Sequence, residues 1–336
     1  MTHTLPKGKD FYASDDEPSY PFHVVEGRSS LEALVAILPE PEVLFSCLDS
    51  FQRRAQSCSF PHTPDEVTKK EVQRFLDSKE KNAELHPDML ALMFATVATG
   101  MQMGQYDRSG GRWNPDDLER MRRTSDAFST SIKIFGRLHR LTVTEIVSAS
   151  MQALRLASFM NRPTLLAIQT LLMMGPYLTN SGRFLDAWTL FGTTIRLAHS
   201  IGLHRNPKYL DPVPSLRECT VRQSLWWWML HLDQQYSVTL GRPLGITGYG
   251  DCPPPEPLTT NPTVLRLAEF VDHFTILSRQ ILSSDGMMSV SKIDEFTDKL
   301  VGLWDTMPAA LQFNESWLRQ TVSLPEWPLE MMSASE

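Results

Sequence analysis

Six consecutive residues, Leu225-Trp226-Trp227-Trp228-Met229-Leu230, constrain the fold more than any other feature of the chain. A half-buried strand alternates apolar with polar residues, and a surface helix keeps one face polar. This run does neither. It reads as a helix that is apolar all round and therefore central, covered by other elements. A proline-bearing loop (Pro207, Pro212, Pro214) leads into it, so the helix is expected over Leu216–Leu240.

The covering elements are also helical. Short helices are expected at Leu31–Leu38, ended by Pro39, and at Glu42–Ser57 after Pro41. Thr63 before Pro64, Asp65 and Glu66 has the grammar of a helix start: a cap, a first-turn proline, and acids at the positive end of the dipole. The same grammar at Asn114-Pro115-Asp116-Asp117 opens a helix toward Leu138, and Pro87 opens Asp88–Gly100. Further helices are expected at Val143–Met160, Thr164–Leu178 and Arg183–Ile201. In the last, Phe184, Ala187, Trp188, Phe191, Ile195 and Ala198 paint one face, and Gly202 stops it. After an irregular stretch, Gly241–Pro262, two more helices are expected at Thr263–Ser283 and Ser289–Thr306. Strand alternation bounded by hairpin turns is missing. The expected fold is all-α, an array of antiparallel helices. Residues 1–29 read as a flexible lead-in and 30–336 as one helical domain. The proline-marked end, Pro325 to Glu336, reads as an array truncated at its C-terminus.

Composition narrows the function. Of 336 residues, 42% are hydrophobic and 21% charged, and 32 basic against 39 acidic residues leave a formal charge of −7. A basic face for phosphates is not evident in that balance. Arg53-Arg54, Lys69-Lys70 and Arg120-Met121-Arg122-Arg123 each sit among acids and read as solvated helix faces. No signal-peptide pattern and no long uninterrupted apolar run is present, so no membrane partner is expected. The four cysteines, at 47, 58, 219 and 252, form no C-x2-C pair, which argues for reduced thiols rather than a zinc site or disulfide framework.

Catalytic patterns are equally sparse. Asp116-Asp117-Leu118-Glu119 is explained by its place in a first helical turn. No glutamate stands three residues before any histidine, which removes the di-iron bundle pattern, and phosphate loops and nucleophile elbows are absent. His199 and His204 read as surface or capping histidines. No catalytic, cofactor or metal residue is predicted.

The informative stretch is Gly182–Pro254. It holds Gly182-Arg183-Phe184, Gly192 to Ala198 with Arg196, Ile201-Gly202-Leu203-His204-Arg205, the tryptophan run, Asp233, Gly241-Arg242-Pro243, Ile246 and Asp251-Cys252. In order and spacing this resembles the fungal-specific transcription factor domain, the helical middle homology region behind fungal Zn2Cys6 clusters. The resemblance is clearest over 90–260. Where related domains commonly carry Asp-Arg, this chain has Asp233-Gln234.

Gly192, Arg196, Gly202, Trp226, Trp227, Asp233, Gly241, Arg242, Pro243 and Asp251 form the signature, and their expected role is structural. Gly192 would permit close helix packing. Arg242 would reach Asp233 and tie the loop to the central helix. The resemblance implies a nuclear transcription regulator or its regulatory domain, with control of a secondary-metabolite gene cluster as one option. It would work through a small-molecule effector or protein partners, such as a complete zinc-cluster relative. Zinc and direct DNA binding would belong to a part absent from this chain. The alternative is the same scaffold redeployed as a small-molecule binder or biosynthetic enzyme.

Overall fold

The computed structural model describes residues 28–51, 67–104, 143–260, 262–284 and 289–307. Among them are eleven α-helices and no strand: α1 Arg28–Ala36, α2 Pro41–Phe51, α3 Lys69–Leu76, α4 Lys79–Leu85, α5 Pro87–Gly104, α6 Val143–Leu156, α7 Leu165–Asn180, α8 Phe184–Ser200, α9 Leu216–Leu240, α10 Leu267–Leu282 and α11 Val290–Trp304. The fold is all-α. The helix starts expected at Thr63 and Asn114 lie outside the described residues, as do residues 1–27 of the expected lead-in, whose last two residues, Arg28 and Ser29, instead open α1. The first described helix after Thr63 is α3, whose cap is Thr68, accepting from the Glu71 amide.

Two helices organise the array. Around α5 pack α2, α6 and α7, and Leu90, Ala91, Leu92, Met93, Phe94 and Val97 are all fully buried. Gly100 lets two backbones meet: a Cβ there would stand 2.3 Å from the Cys47 carbonyl oxygen of α2. The few polar atoms of α5 close on local acceptors. The Thr96 and Thr99 hydroxyls return to the carbonyls of Leu92 and Ala95 at 2.8 and 3.0 Å. One cross-tie comes from α6, where Ser150 Oγ donates to the Ala91 carbonyl at 2.6 Å. Another joins helix starts, since Thr164, which caps α7, donates to Asp88 Oδ2 at 2.9 Å.

The second organiser is α9. It begins under a Ser215 cap and ends at Gly241, which adopts φ 61°, and it buries thirteen residues including Trp226 and Trp227. Beyond it, α10 and α11 build a small second core from Leu265, Phe270 and Met307, closed by the Leu265 amide on the Thr306 carbonyl at 2.8 Å. Two boundaries are shorter than expected. The helix expected to Met160 stops at Leu156 and turns through Ser158 at φ 53°, and the one expected from Thr263 starts at Leu267.

Candidate functional site

The irregular stretch after Gly241 is bound to α9 by side chains of the helix. Trp226 Nε1 donates to the Tyr249 carbonyl at 2.6 Å, and Trp227 Nε1 to the Cys252 carbonyl at 3.2 Å. Gln223, one turn earlier, reaches the Pro253 and Pro254 carbonyls at 3.5 and 3.4 Å. A loop without secondary structure leaves its own amides and carbonyls to be satisfied, and here the helix supplies the partners. The other side of the loop rests on the end of α8. There Gly202 (φ 69°) reverses the chain, with its amide on His199 and the Leu203 amide on Ala198, a Schellman cap. The next carbonyl, of His204, receives the Asp251 and Cys252 amides at 3.1 and 3.2 Å. Gly250 passes so close that a Cβ would stand 2.2 Å from that oxygen. Asp251 turns outward, accepting from the Asn206 amide and pairing with Arg205 at 2.9 Å.

Asp233 is the centre of the clamp. Its carboxylate accepts from the Gly245 amide at 2.9 Å and the Ile246 amide at 3.0 Å. The balancing cation is Arg279 of α10, at 2.9 Å, with both side chains 4% exposed. The guanidinium also donates to the Leu230 and Ile246 carbonyls and lies 5.8 Å from the centre of the Tyr249 ring. A buried ion pair holds only when its remaining donors and acceptors are met, and this one meets them. The expected tie between Asp233 and Arg242 is therefore corrected. Gly241 in its left-handed turn sends Arg242 outward, where it stands 6.0 Å over the Trp188 ring. Three and four residues further on, the amides of Gly245 and Ile246 take the carboxylate instead.

Gly192 is also corrected. It is exposed, and a Cβ there would meet nothing within 4 Å, so it brokers no close helix contact among the described residues. The close approaches belong to Gly100, Gly175, Gly245 and Gly250. Arg196 and Pro243 are exposed.

Burial keeps the thiols and the central imidazole uncharged near neutrality. Burial pushes the Cys252 thiol up to about 12, with the Asp251 charge adding to it, and the Cys47 thiol up to about 11. Neither is a thiolate near neutrality. His231 has Nδ1 3.1 Å from Thr275 Oγ1 and Nε2 2.9 Å from Gln235 Nε2. Burial pushes it down to about 4, so the ring stays neutral at pH 7. Gln234 Nε2 approaches the same Nδ1 at 3.3 Å. His199 and His204 form an edge-to-face pair, 5.0 Å between centres, against Trp226. Burial, then His204 and Arg196, hold His199 below its ordinary value. Among the described residues no group of three or more His, Cys, Asp or Glu is placed to hold a metal ion. No described helix is long and apolar enough to cross a membrane.

Residues 57–259, more than half of the chain, match the family model of the fungal specific transcription factor domain. The chain belongs to that family. This is not an enzyme family. A transcriptional regulatory protein of Schizosaccharomyces pombe is 23% identical over 218 residues, covering 65% of this chain and 24% of its own length. Transcription factor yanR of Aspergillus niger is 32% identical over 105 residues, covering 30% of this chain and 12% of its own. Activatory protein CHA4 of Saccharomyces cerevisiae is 36% identical over 92 residues, covering 26% and 14%. The chain thus spans a quarter or less of these relatives. No solved structure matches.

In this fungal domain, six of the residues expected to form the signature meet at one junction: Gly202, Trp226, Trp227, Asp233, Gly241 and Asp251. The residue that completes it, Arg279, lies beyond the family match and was missed by sequence reasoning. Its signal was an arginine sharing one side of α10 with Asp272, Thr275 and Ile276, within a helix whose other side is lined by Phe270, Phe274 and Leu277.

Proposed function

We propose that this chain serves as the helical regulatory part of a nuclear transcription regulator, working through protein partners or a small-molecule effector. It makes no DNA contacts of its own and catalyses no reaction. The observation that carries this reading is the family match over residues 57–259. The three relatives, named as a transcriptional regulatory protein, a transcription factor and an activatory protein, support it. The formal charge of −7 supports the absence of a phosphate-binding face. The thiols held protonated at Cys47 and Cys252 and the neutral His231 support a scaffold rather than a catalyst. The fitting partner is a zinc-cluster relative that supplies the DNA-reading module. Residues 30–336 act as one unit in this reading.

Tethering decides it. The full chain is fused to an unrelated DNA-binding module in a fungal host carrying the matching reporter, with a fluorescent tag to follow its location. Nuclear accumulation and a reporter change in either direction, with no mobility shift of DNA by the unfused chain, are expected. A reporter equal to that of the module alone, with the tag outside the nucleus, overturns the reading.

A further inference from the structure

The outward side of α8 is shaped to receive another helix. Leu185, Trp188, Gly192 and Arg196 follow one another in steps of three, four and four, so they share one face. Leu185 is 57% exposed, and Trp188 is half-buried against the core. Between Trp188 and Arg196 the face drops to bare backbone, because Gly192 is exposed and a Cβ added there would meet nothing within 4 Å. Glycine inside a helix costs stability relative to alanine, and nothing among the described residues uses the space it leaves. What the notch permits is the close approach of a second backbone, with a partner's side chain seated in it as a knob sits in a hole.

Charge narrows the partner. Arg242 stands 6.0 Å over the Trp188 ring, on one side of the notch. Arg196 lies one turn beyond Gly192, on the other. Neither joins an ion pair among the described residues, whereas the neighbouring Arg183 and Arg205 are matched by Asp186 and Asp251. A chain of formal charge −7 thus keeps two unneutralised guanidiniums beside one apolar strip. A second copy of the chain would bring like charges together. We propose that this face binds an acidic amphipathic helix of a partner protein, its apolar side on Leu185 and Trp188 and one side chain over Gly192. Trp188 and Arg196 are separated by two helical turns, about 12 Å at 1.5 Å per residue. The partner's carboxylates that meet Arg242 and Arg196 are therefore about seven residues apart. Planar guanidinium–carboxylate pairing fixes the register, and the apolar strip supplies buried area. The proposal rests on the partner-dependent reading above.

The full chain tests it with two fluorescent synthetic peptides of alanine and leucine, followed by anisotropy. One carries glutamates about seven residues apart beside its leucine stripe, and the other carries lysines there. The glutamate peptide should bind saturably, more weakly as salt rises, and the lysine peptide should not bind. Gly192→Gln should weaken binding about tenfold or more while raising the urea midpoint, because it fills the notch with a better helix former. Arg196→Glu/Arg242→Glu should abolish binding, whereas Arg74→Glu on the distant α3 should leave it unchanged. No saturable binding of the glutamate peptide, equal binding of the lysine peptide, or binding indifferent to the α8-face variants overturns the proposal. Self-association of the chain that Gly192→Gln removes also overturns it, assigning the face to a second copy. A chain that drives the tethered reporter but ignores the peptide loses this face alone. One that binds the peptide while the reporter stays silent loses the broader reading alone.

Discussion

The surroundings of α5 and of α9 bury comparable helices by opposite means. Around α5 the contacts are almost wholly apolar, and its hydroxyls close on the helix's own carbonyls. Around α9 the decisive contacts are directional: two indole N–H groups, a glutamine amide, a carboxylate and a distant guanidinium each meet a specific partner atom. Apolar packing accepts any residue of suitable shape, whereas a satisfied buried ion pair accepts few replacements. Six of the ten residues expected from sequence to form the signature lie where the polar ties are, and the α5 region carries hydrophobic spacing instead.

The largest effect should come from breaking the clamp. Arg279→Ala leaves the Asp233 carboxylate buried without its cation and should cost about 3–5 kcal/mol in urea unfolding. Adding Asp233→Ala to it should cost far less than the sum of the single changes. Arg279→Lys tests identity rather than charge, and should cost clearly more than Leu92→Met, which should stay under about 1.5 kcal/mol. Equal losses for those two would erase the contrast between the regions.

A smaller effect depends on pH. Burial, with the Glu269 charge adding to it, pushes Asp272 from 3.8 up to about 7. The folded state then holds a proton that the unfolded chain has released, so this group's contribution falls as pH rises from about 4 to about 7. Asp272→Asn should match wild type near pH 4 and be more stable by roughly 1–3 kcal/mol at pH 8. His231, pushed down to about 4, contributes the opposite slope between about 4 and 6.5 in both proteins, so the difference isolates Asp272. A pH-independent difference would remove the assignment. Smallest is Gly192→Ala, expected to raise stability by about 0.5–1 kcal/mol, because the added methyl meets open space inside a helix. A loss there would restore a packing role to Gly192.

Much of the array was legible because it rests on local rules. The tryptophan run announced α9, Gly202 and Gly241 closed α8 and α9 where the chain turns left-handed, and the apolar face of α8 was visible in its spacing. The partner of Asp233 was not legible. Arg242, close in sequence on the loop, looked like the natural cation. The actual one lies 46 residues away on another helix. Its selection depends on the direction in which Gly241 launches the chain. Nor does spacing reveal that the loop approaches the helix amide-first, since that depends on backbone path rather than residue type.

The loop's carbonyls at 249, 252, 253 and 254 each receive a donor from an α9 side chain. The path of that segment is thereby written into the helix, much as a framework fixes the course of an antibody's hypervariable loops. Outward-facing loop residues can be exchanged without redrawing the trace. That leaves a surface free to diversify on a fixed template, with novelty confined to side chains and the scaffold untouched.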